Sequence, residues 1–205
     1  MKLYWSPRSP FARKVMIFAH EAGLAGRIEC LPTLVFMSKP NRDLMHINPL
    51  GKIPTLVADD GRILYDSMVI CEYLDNLHHG PRLFPAAGEA RWNTLRRHAL
   101  GDNMLDNLVL WRNEGLRPQP QQSAELCGAI ELKIRNAVSS IERETDALAA
   151  TPVDIGHITF GCALGYIDFR FPQMAWRDGN PRLAAWYAAF AQRPSMQRTL
   201  PVDTA

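Results

Sequence analysis

A strand-to-helix corner close to the start of the chain narrows its possible folds more than any other motif. Residues 1–5 form a short segment that is apolar enough for a first strand. Apolar residues at helical spacing then predict a helix from Phe11 to Gly23, which supplies a C-cap. The dipeptide Ser9-Pro10 therefore falls at the N-cap of this helix. There the Ser9 oxygen can accept a hydrogen bond from an orphan backbone N–H, which is a purely structural role. Alternatively, its O–H can point toward a bound thiolate, which the partial positive charge of the helix end also favours.

A loop that leads into a strand follows in residues 48–57. After a Pro-Gly turn, the chain passes through Ile53-Pro54 into a β-branched run that predicts a strand. A turn at residues 59–61 then leads to residues 62–65, which are predicted to form the second strand of a hairpin. Proline is tolerated here only at the start or the edge of a strand. A cis Ile53-Pro54 bond would turn the N–H and C=O of Ile53 outward, free to pair with an extended peptide, whereas a trans bond would make a plain loop-to-strand junction.

A second strand-to-helix corner lies at Asp66-Ser67, ahead of an apolar helix through residues 69–74. The free N–H groups of a helix start can be capped by Asp66 and can also bind a carboxylate. No cysteine lies near Ser9, and no histidine lies two or three residues away to act as its base. A thiol used at the Ser9 corner must therefore come from outside the chain, which predicts a thiol cofactor.

These three segments, in this order and at these positions, resemble the glutathione S-transferase family. The resemblance implies an α/β thioredoxin-like N-terminal domain plus an all-α C-terminal helical domain, with glutathione as co-substrate and no metal. It implies that Ser9 donates a hydrogen bond to the glutathione thiolate, and that Ile53, before a cis Pro54, pairs with the cysteinyl backbone. In the same way it implies that Asp66-Ser67 binds the γ-glutamyl end, where Asp66 meets the α-amino group.

The resemblance also places Phe11 in the glutathione site and makes Lys39 and Lys52 candidate partners of the glycyl carboxylate. A solvated surface lysine is the alternative for both, and Lys52 is the better candidate because it adjoins Ile53. In the family the fourth helix lines the acceptor pocket. The candidates on that helix here are Met104, Leu108, Trp111 and Arg112. For Leu108 the alternative is a structural stripe in the helical domain.

The domain boundary is visible where a glycine and two prolines interrupt a helical pattern at residues 78–85. We expect a thioredoxin-like domain over residues 1–78, a linker over residues 79–86, and an all-helical domain over residues 87–205 that contributes the electrophile pocket between the domains.

Apolar periodicity divides the helical domain into four helices. It predicts an antiparallel pair over residues 88–116 and 121–150, then a helix starting at Asp154 and a last helix over residues 181–192. The segment 161–171 resembles the core helix of the second domain in a group of small bacterial family members. The resemblance therefore covers nearly the whole chain.

One position departs from the family pattern. Members commonly begin that core helix with a Ser/Thr-x-x-Asp box, in which the two side chains cap each other's backbone N–H groups. Here the matching residues are Asp154 and His157. His157 brings no fixed negative charge to the helix start, which puts the box in doubt, although Asp154 can offset this by pairing with it.

Composition excludes several other classes of protein. With 23 basic and 21 acidic residues the net charge is only +2. The chain therefore lacks the large positive charge that binds a polyanion, and nucleic acid is not expected as a partner. No apolar stretch approaches the roughly 20 residues of a membrane span, and no signal-peptide core precedes the first strand, so we expect a cytoplasmic protein. The cysteines are widely spaced, without a Cys-x-x-Cys pair, which predicts buried reduced thiols rather than a metal site: Cys30, Cys71, Cys127 and Cys162.

The predicted function is that of a glutathione transferase. Serine at position 9 favours attack of the thiolate on an apolar electrophile or a peroxide, because a cysteine there would open a mixed-disulfide cycle instead. The resemblance further implies a homodimer and a role in detoxification. Two alternatives stay open: a non-catalytic interaction or regulatory protein on the same scaffold, and a specialised glutathione-dependent dehalogenase or isomerase. The Ser-Ser-Cys signature of the maleylacetoacetate isomerase branch is missing around Ser9.

Overall fold

The computed structural model describes residues 1–203, which divide into two compact units. The first unit comprises Met1–Ala86 together with the chain from Pro194 onward, and the second comprises Ala87–Arg193. The C-terminal segment differs here from the sequence analysis, which assigned it to the helical domain.

The first unit is built on a four-stranded mixed sheet. Its strands are β1 (Lys2–Trp5), β2 (Glu29–Pro32), β3 (Thr55–Val57) and β4 (Ile63–Leu64), in the spatial order β2-β1-β3-β4. Strand β2 runs parallel to β1, whereas β3 is antiparallel to both β1 and β4. The helices of this unit are α1 (Pro10–Glu21), α2 (Arg42–Met45), α3 (Ser67–Asp75) and, near the C-terminus, α8 (Pro194–Gln197). This arrangement confirms the predicted thioredoxin-like fold.

The core of the first unit lies between the sheet and helices α1 and α3. Leu3 and Leu56, paired across β1 and β3, are fully buried with Val15, Phe18 and Ile70 from the two helices. Burying one such large apolar side chain contributes about 1.5–3 kcal/mol to folding. The core therefore fixes how α1 starts relative to the sheet.

Helix α8 packs on α1 through polar contacts. The Arg13 guanidinium donates a hydrogen bond to the backbone O of Met196 over 3.4 Å, and the Ser195 hydroxyl donates to the Glu21 carboxylate. Arg13 and Ser195 are buried. These contacts explain why the C-terminal segment belongs to the first unit.

The second unit is all-helical, as expected from its periodicity. It contains α4 (Gly88–Gly115), α5 (Ala124–Ala149), α6 (Ile155–Arg170) and α7 (Pro181–Phe190). Helix α6 is buried from Ile155 to Ile167 and packs closely against α4. The close approach needs glycine, since a Cβ at Gly101 would lie 2.8 Å from Cγ2 of Thr159 and one at Gly156 would lie 2.8 Å from Cβ of Arg97.

The start of α6 resolves the doubt about its capping box. The backbone N–H of His157 donates to Oδ1 of Asp154 over 3.0 Å, and Nδ1 of His157 lies 3.3 Å from the Asp154 backbone N. The two side chains also pair directly, with 2.7 Å between Nδ1 and Oδ1, and the Thr94 hydroxyl donates to Oδ2. The geometry of a capping box is therefore present with histidine at its last position, and the short contact between Nδ1 and Oδ1 pairs the two side chains.

The cysteines depart in part from expectation. Cys71 and Cys162 are buried, but Cys30 and Cys127 are half-buried, and all four are thiols. Burial raises the pKa of the Cys30 thiol, so its reactive thiolate form is scarce near neutral pH. Within residues 1–203, no three His, Cys, Asp or Glu side chains are grouped so as to hold a metal ion. In the same range, every helix is too short or too polar to cross a bilayer.

Candidate functional site

The strand register brings the predicted site segments to one edge of the sheet in the first unit. Tyr4 pairs with Thr55, so the end of β1 and the start of β3 lie side by side. Leu56 pairs with Leu64, so the chain that leaves β4 toward α3 emerges at the same edge. The Ser9 corner, the Ile53-Pro54 loop and the Asp66 corner therefore adjoin one another.

The loop after β2 leaves the sheet at this edge as well. Strand β2 is parallel to β1 with Trp5 opposite Pro32, and the backbone N–H of Thr33 donates to O of Trp5 over 2.8 Å. The loop from Thr33 carries Lys39 and leads to α2. All four segments that the sequence analysis assigned to the glutathione site enter or leave the sheet at this edge.

Ser9 is the N-cap of α1. Its Oγ accepts a hydrogen bond from the backbone N–H of Ala12 over 3.2 Å, and Pro10 occupies the first helical position. The corner is tightened because the Ser9 N–H donates to O of Ser6 over 3.0 Å. A hydroxyl carries one donor hydrogen in addition to its acceptor lone pairs. Capping therefore does not use the O–H, and the two roles considered for Ser9 are compatible.

The Ile53-Pro54 peptide bond is cis, as the sequence analysis expected. Ile53 and Pro54 are both buried, and Pro54 directly precedes β3. Behind them, the side chains of Asn48 and Thr55 form hydrogen bonds with the backbone O of Lys52. The loop is thus anchored on its interior side.

Asp66 is the N-cap of α3. Its Oδ1 accepts a hydrogen bond from the Met68 N–H over 2.9 Å, and the side chain is exposed. Ser67, the first residue of the helix, is buried. An exposed carboxylate at a helix start can meet a cationic amino group of a ligand, while backbone N–H groups beside it can meet a carboxylate.

The remaining candidates of the first unit have different environments. Phe11 is half-buried, and Nζ of Lys14 lies 5.7 Å from its ring centroid. Lys39 and Lys52 are exposed, and Lys39 forms an isolated bridge with Phe36 in the loop after β2. Their exposure leaves both ammonium groups accessible to an anion.

The candidates of the second unit all lie on α4. Met104 and Leu108 are 2 % and 0 % exposed, which is typical of core positions. Trp111 is half-buried and stacks on Phe171, with 4.4 Å between ring centroids and an interplanar angle of 18°. Arg112 is half-buried. That these residues hold an acceptor stays a prediction.

Chemically, the edge of the first unit suits a zwitterionic peptide with a thiol. It combines a hydroxyl donor at a helix N-terminus, a backbone loop ahead of a strand, an exposed carboxylate and exposed lysines. The partial positive charge at the start of α1 stabilises an anion beside Ser9. The sequence analysis missed Asn48 and Thr55, for which the only signal was a polar residue on either side of the Pro-Gly turn.

Comparison with known proteins identifies both units. Residues 8–77 match the model "Glutathione S-transferase, N-terminal domain", and residues 125–189 match "Glutathione S-transferase, C-terminal domain". The uncharacterized GST-like protein YibF of Escherichia coli (strain K12) is 30% identical over 203 residues, which cover 98% of each chain. A stringent starvation protein A homolog of Coxiella burnetii is 35% identical over 91 residues, which cover 44% of this chain and 41% of that protein.

Solved structures agree with these matches. A glutathione transferase family member from Pseudomonas fluorescens Pf-5, crystallised with bound glutathione, is 43% identical with a TM-score of 0.95, and the match covers 98% of each chain. A second structure of a Pf-5 family member, with bound S-(propanoic acid)-glutathione, is 42% identical with a TM-score of 0.91 over 98% of this chain and 100% of that one. The chain belongs to the glutathione S-transferase family.

Proposed function

We propose that this protein is a glutathione transferase that binds glutathione at the sheet edge of its first unit and uses the thiol as a nucleophile. The observation that carries the proposal is Ser9, whose hydroxyl caps α1 with its acceptor side and keeps its O–H as a donor. The glutathione bound to the Pseudomonas fluorescens relative supports this ligand. The glutathione thioether bound to the second Pf-5 structure supports transfer of the thiol to carbon.

In this proposal Ser9 and the start of α1 act together on the thiol. A free thiol has a pKa near ~8.5, and a helix N-terminus can lower it to roughly 3.5–7.5. The Ser9 hydroxyl donates to the sulfur and does not ionise. The sulfur then forms a bond to an electrophilic carbon, whose leaving group departs with its electron pair, or to a peroxide oxygen as the O–O bond breaks.

The other residues hold the two substrates. Ile53 pairs with the cysteinyl backbone, Asp66-Ser67 binds the γ-glutamyl end, and Lys52 and Lys39 meet the glycyl carboxylate beside Phe11. Of the α4 candidates, the half-buried Trp111 and Arg112 contact the apolar acceptor, whereas Met104 and Leu108 lie in the core. Homodimer formation, a cytoplasmic location and a role in detoxification complete the proposal as expectations from the family.

The thiol pKa provides the test. Glutathione is titrated against pH in the presence of saturating protein, and the ultraviolet absorbance of the thiolate is followed. We expect the pKa of the bound thiol to fall at least about one unit below its free value of ~8.5. An unchanged pKa of bound glutathione would refute thiol activation, and failure to bind would refute the glutathione site.

The second candidate function is a non-catalytic regulatory role. It is favoured by the similarity to the stringent starvation protein A homolog, which spans 91 residues. Glutathione affinity and turnover with a panel of electrophiles separate the two candidates. A protein that binds glutathione without lowering the thiol pKa and without turnover would favour the regulatory role.

A further inference from the structure

The peptide group between Lys52 and Ile53 is held from its interior side by two buried side chains. Asn48 and Thr55 are 2 % and 0 % exposed. The Asn48 amide donates to O of Lys52 over 3.1 Å, and the Thr55 hydroxyl donates to the same oxygen over 2.8 Å. The amide also donates to the Thr55 hydroxyl oxygen over 3.0 Å, which closes the group. We call this group the Lys52 clamp.

Both members of the Lys52 clamp are themselves fixed. Oδ1 of Asn48 accepts from the Leu50 N–H over 3.1 Å, and the Asn48 backbone N–H donates to O of Leu44 over 2.8 Å. Thr55 lies in β3 and pairs with Tyr4 of β1. The clamp therefore connects the end of α2 to the sheet, and rigid partners hold both donors.

Peptide planarity carries this constraint to the next residue. The C=O of Lys52 and the N–H of Ile53 belong to one planar trans group, in which they point in opposite directions. The clamp draws the carbonyl oxygen toward buried donors. The Ile53 N–H must then point away from these donors.

We infer that Asn48 and Thr55 are positioning residues that aim the Ile53 N–H at the cysteinyl backbone of glutathione. This inference rests on the proposed function and extends it to residues that do not contact the ligand. Without the clamp, the Lys52–Ile53 peptide group can rotate. Glutathione must then restore the orientation of this peptide group when it binds. Glutathione affinity is therefore lower, because the free energy needed to order a loop opposes association.

Three threonine variants test this inference. Thr55→Val keeps the shape but removes the hydroxyl, Thr55→Ser restores the hydroxyl, and Thr159→Val is a matched control. Thr159 is equally buried and donates to a backbone O, that of Ile155, over 2.7 Å within α6 of the second unit. Each valine variant therefore loses one buried hydroxyl-to-carbonyl hydrogen bond, and Thr55→Val also loses the hydrogen bond that its hydroxyl oxygen accepts from the Asn48 amide.

Calorimetric titration with glutathione gives the readout. For Thr55→Val we expect the Kd to rise about three- to tenfold, the scale of one neutral hydrogen bond, and KM for glutathione to rise with it while kcat at saturation stays near wild type. Thr55→Ser and Thr159→Val should keep the wild-type Kd. An unchanged Kd in Thr55→Val, with tight binding by the wild type, overturns the inference alone. Absence of binding by the wild type overturns the proposed function and this inference with it.

Amide hydrogen exchange on the wild type keeps the inference testable if Thr55→Val does not fold. Saturating glutathione should slow exchange of the Ile53 N–H, because that group becomes a hydrogen-bond donor to the ligand. If bound glutathione leaves the exchange rate of this amide unchanged, the clamp does not aim it at the ligand and the inference fails.

Discussion

Two helix starts in this protein use the same capping device and leave different groups available. Ser9 begins α1 in the first unit and accepts a hydrogen bond from the Ala12 N–H. Asp154 begins α6 in the second unit, and both of its oxygens are engaged, by His157 and by Thr94. Ser9 is partly exposed, whereas Asp154 is buried.

In the proposed function, this one local motif serves chemistry at Ser9, whereas at Asp154 it serves stability. A cap that retains a donor hydrogen at an accessible helix end can act on a ligand anion. A cap whose oxygens are all engaged in the interior stabilises the helix that it starts, and removing it leaves buried polar groups without partners. Variants at the two caps should therefore change different measurements.

The largest effect is expected from Asp154→Ala. It removes the buried partner of His157 and Thr94, so the free energy of unfolding of the second unit should fall by about 3 kcal/mol or more. Urea unfolding followed by tryptophan fluorescence reports on it, because Trp186 lies 6.2 Å from the His157 ring. Asp154→Asn keeps the shape and an acceptor oxygen, so its free energy of unfolding should fall less than that of Asp154→Ala. A loss below about 1 kcal/mol in the alanine variant would mean that this cap is no more structural than an exposed one.

Asp66→Ala tests the second exposed cap of the first unit. We expect glutathione binding to weaken by about 1.5–3 kcal/mol, the scale of a hydrogen bond to a charged group. Asp66→Asn is the matched control, since asparagine caps helices as well as aspartate but carries no charge. Recovery of stability without recovery of affinity in the asparagine variant would show that the charge binds the ligand. Equal affinity in all three proteins would remove Asp66 from the site.

Ser9→Ala should lower transferase turnover at least about tenfold, or 1.4 kcal/mol of transition-state stabilisation, with little change in glutathione affinity. Ser9→Asp keeps a capping oxygen but opposes a thiolate, so it should restore stability and not turnover. Steady-state kinetics and thermal unfolding of the three proteins provide the comparison. Wild-type turnover in Ser9→Ala would make Ser9 a cap only, and the donor would then be the Ser6 hydroxyl or a backbone N–H.

Trp111→Ala tests whether the second unit also contacts a substrate. Aromatic stacking beyond area burial contributes ~1 kcal/mol, so we expect KM for an aromatic acceptor to rise severalfold while KM for glutathione stays constant. Trp111→Phe preserves a ring that can stack on Phe171. Should only the thermal stability of the alanine variant change, Trp111 serves the core of the second unit.

The smallest expected effect is the pH dependence of folding stability that the Asp154 cap confers. Burial acts to raise the pKa of Asp154, but hydrogen bonds from His157 and Thr94 outweigh burial and hold this pKa below its ordinary value. Its contribution to stability is therefore present above the unfolded-state pKa, about 3.9, and is lost as pH falls through the lower folded-state value. Unfolding curves of wild type and Asp154→Asn should converge in that acidic window. Parallel curves down to the lowest pH would contradict the linkage.

The sequence by itself determined the local features of this protein. Capping residues, turn residues and apolar periodicity act within a few residues of the chain, so the Ser9 cap, the Asp66 cap and the all-helical second half were predictable. The helix predicted over residues 88–116 occupies Gly88–Gly115. The cis Ile53-Pro54 bond was predictable only through the family resemblance, because a lone Ile-Pro pair is usually trans.

Tertiary structure alone decided the features that depend on distant partners. Residues 29–32 have no strong strand pattern, and they form β2 because β1 offers them a parallel partner. Helix α8 joins the first unit through Arg13 and Glu21, which lie more than 170 residues earlier. Hydrogen bonds of this kind depend on distance and angle in space, and the spacing of residues along the chain does not encode them.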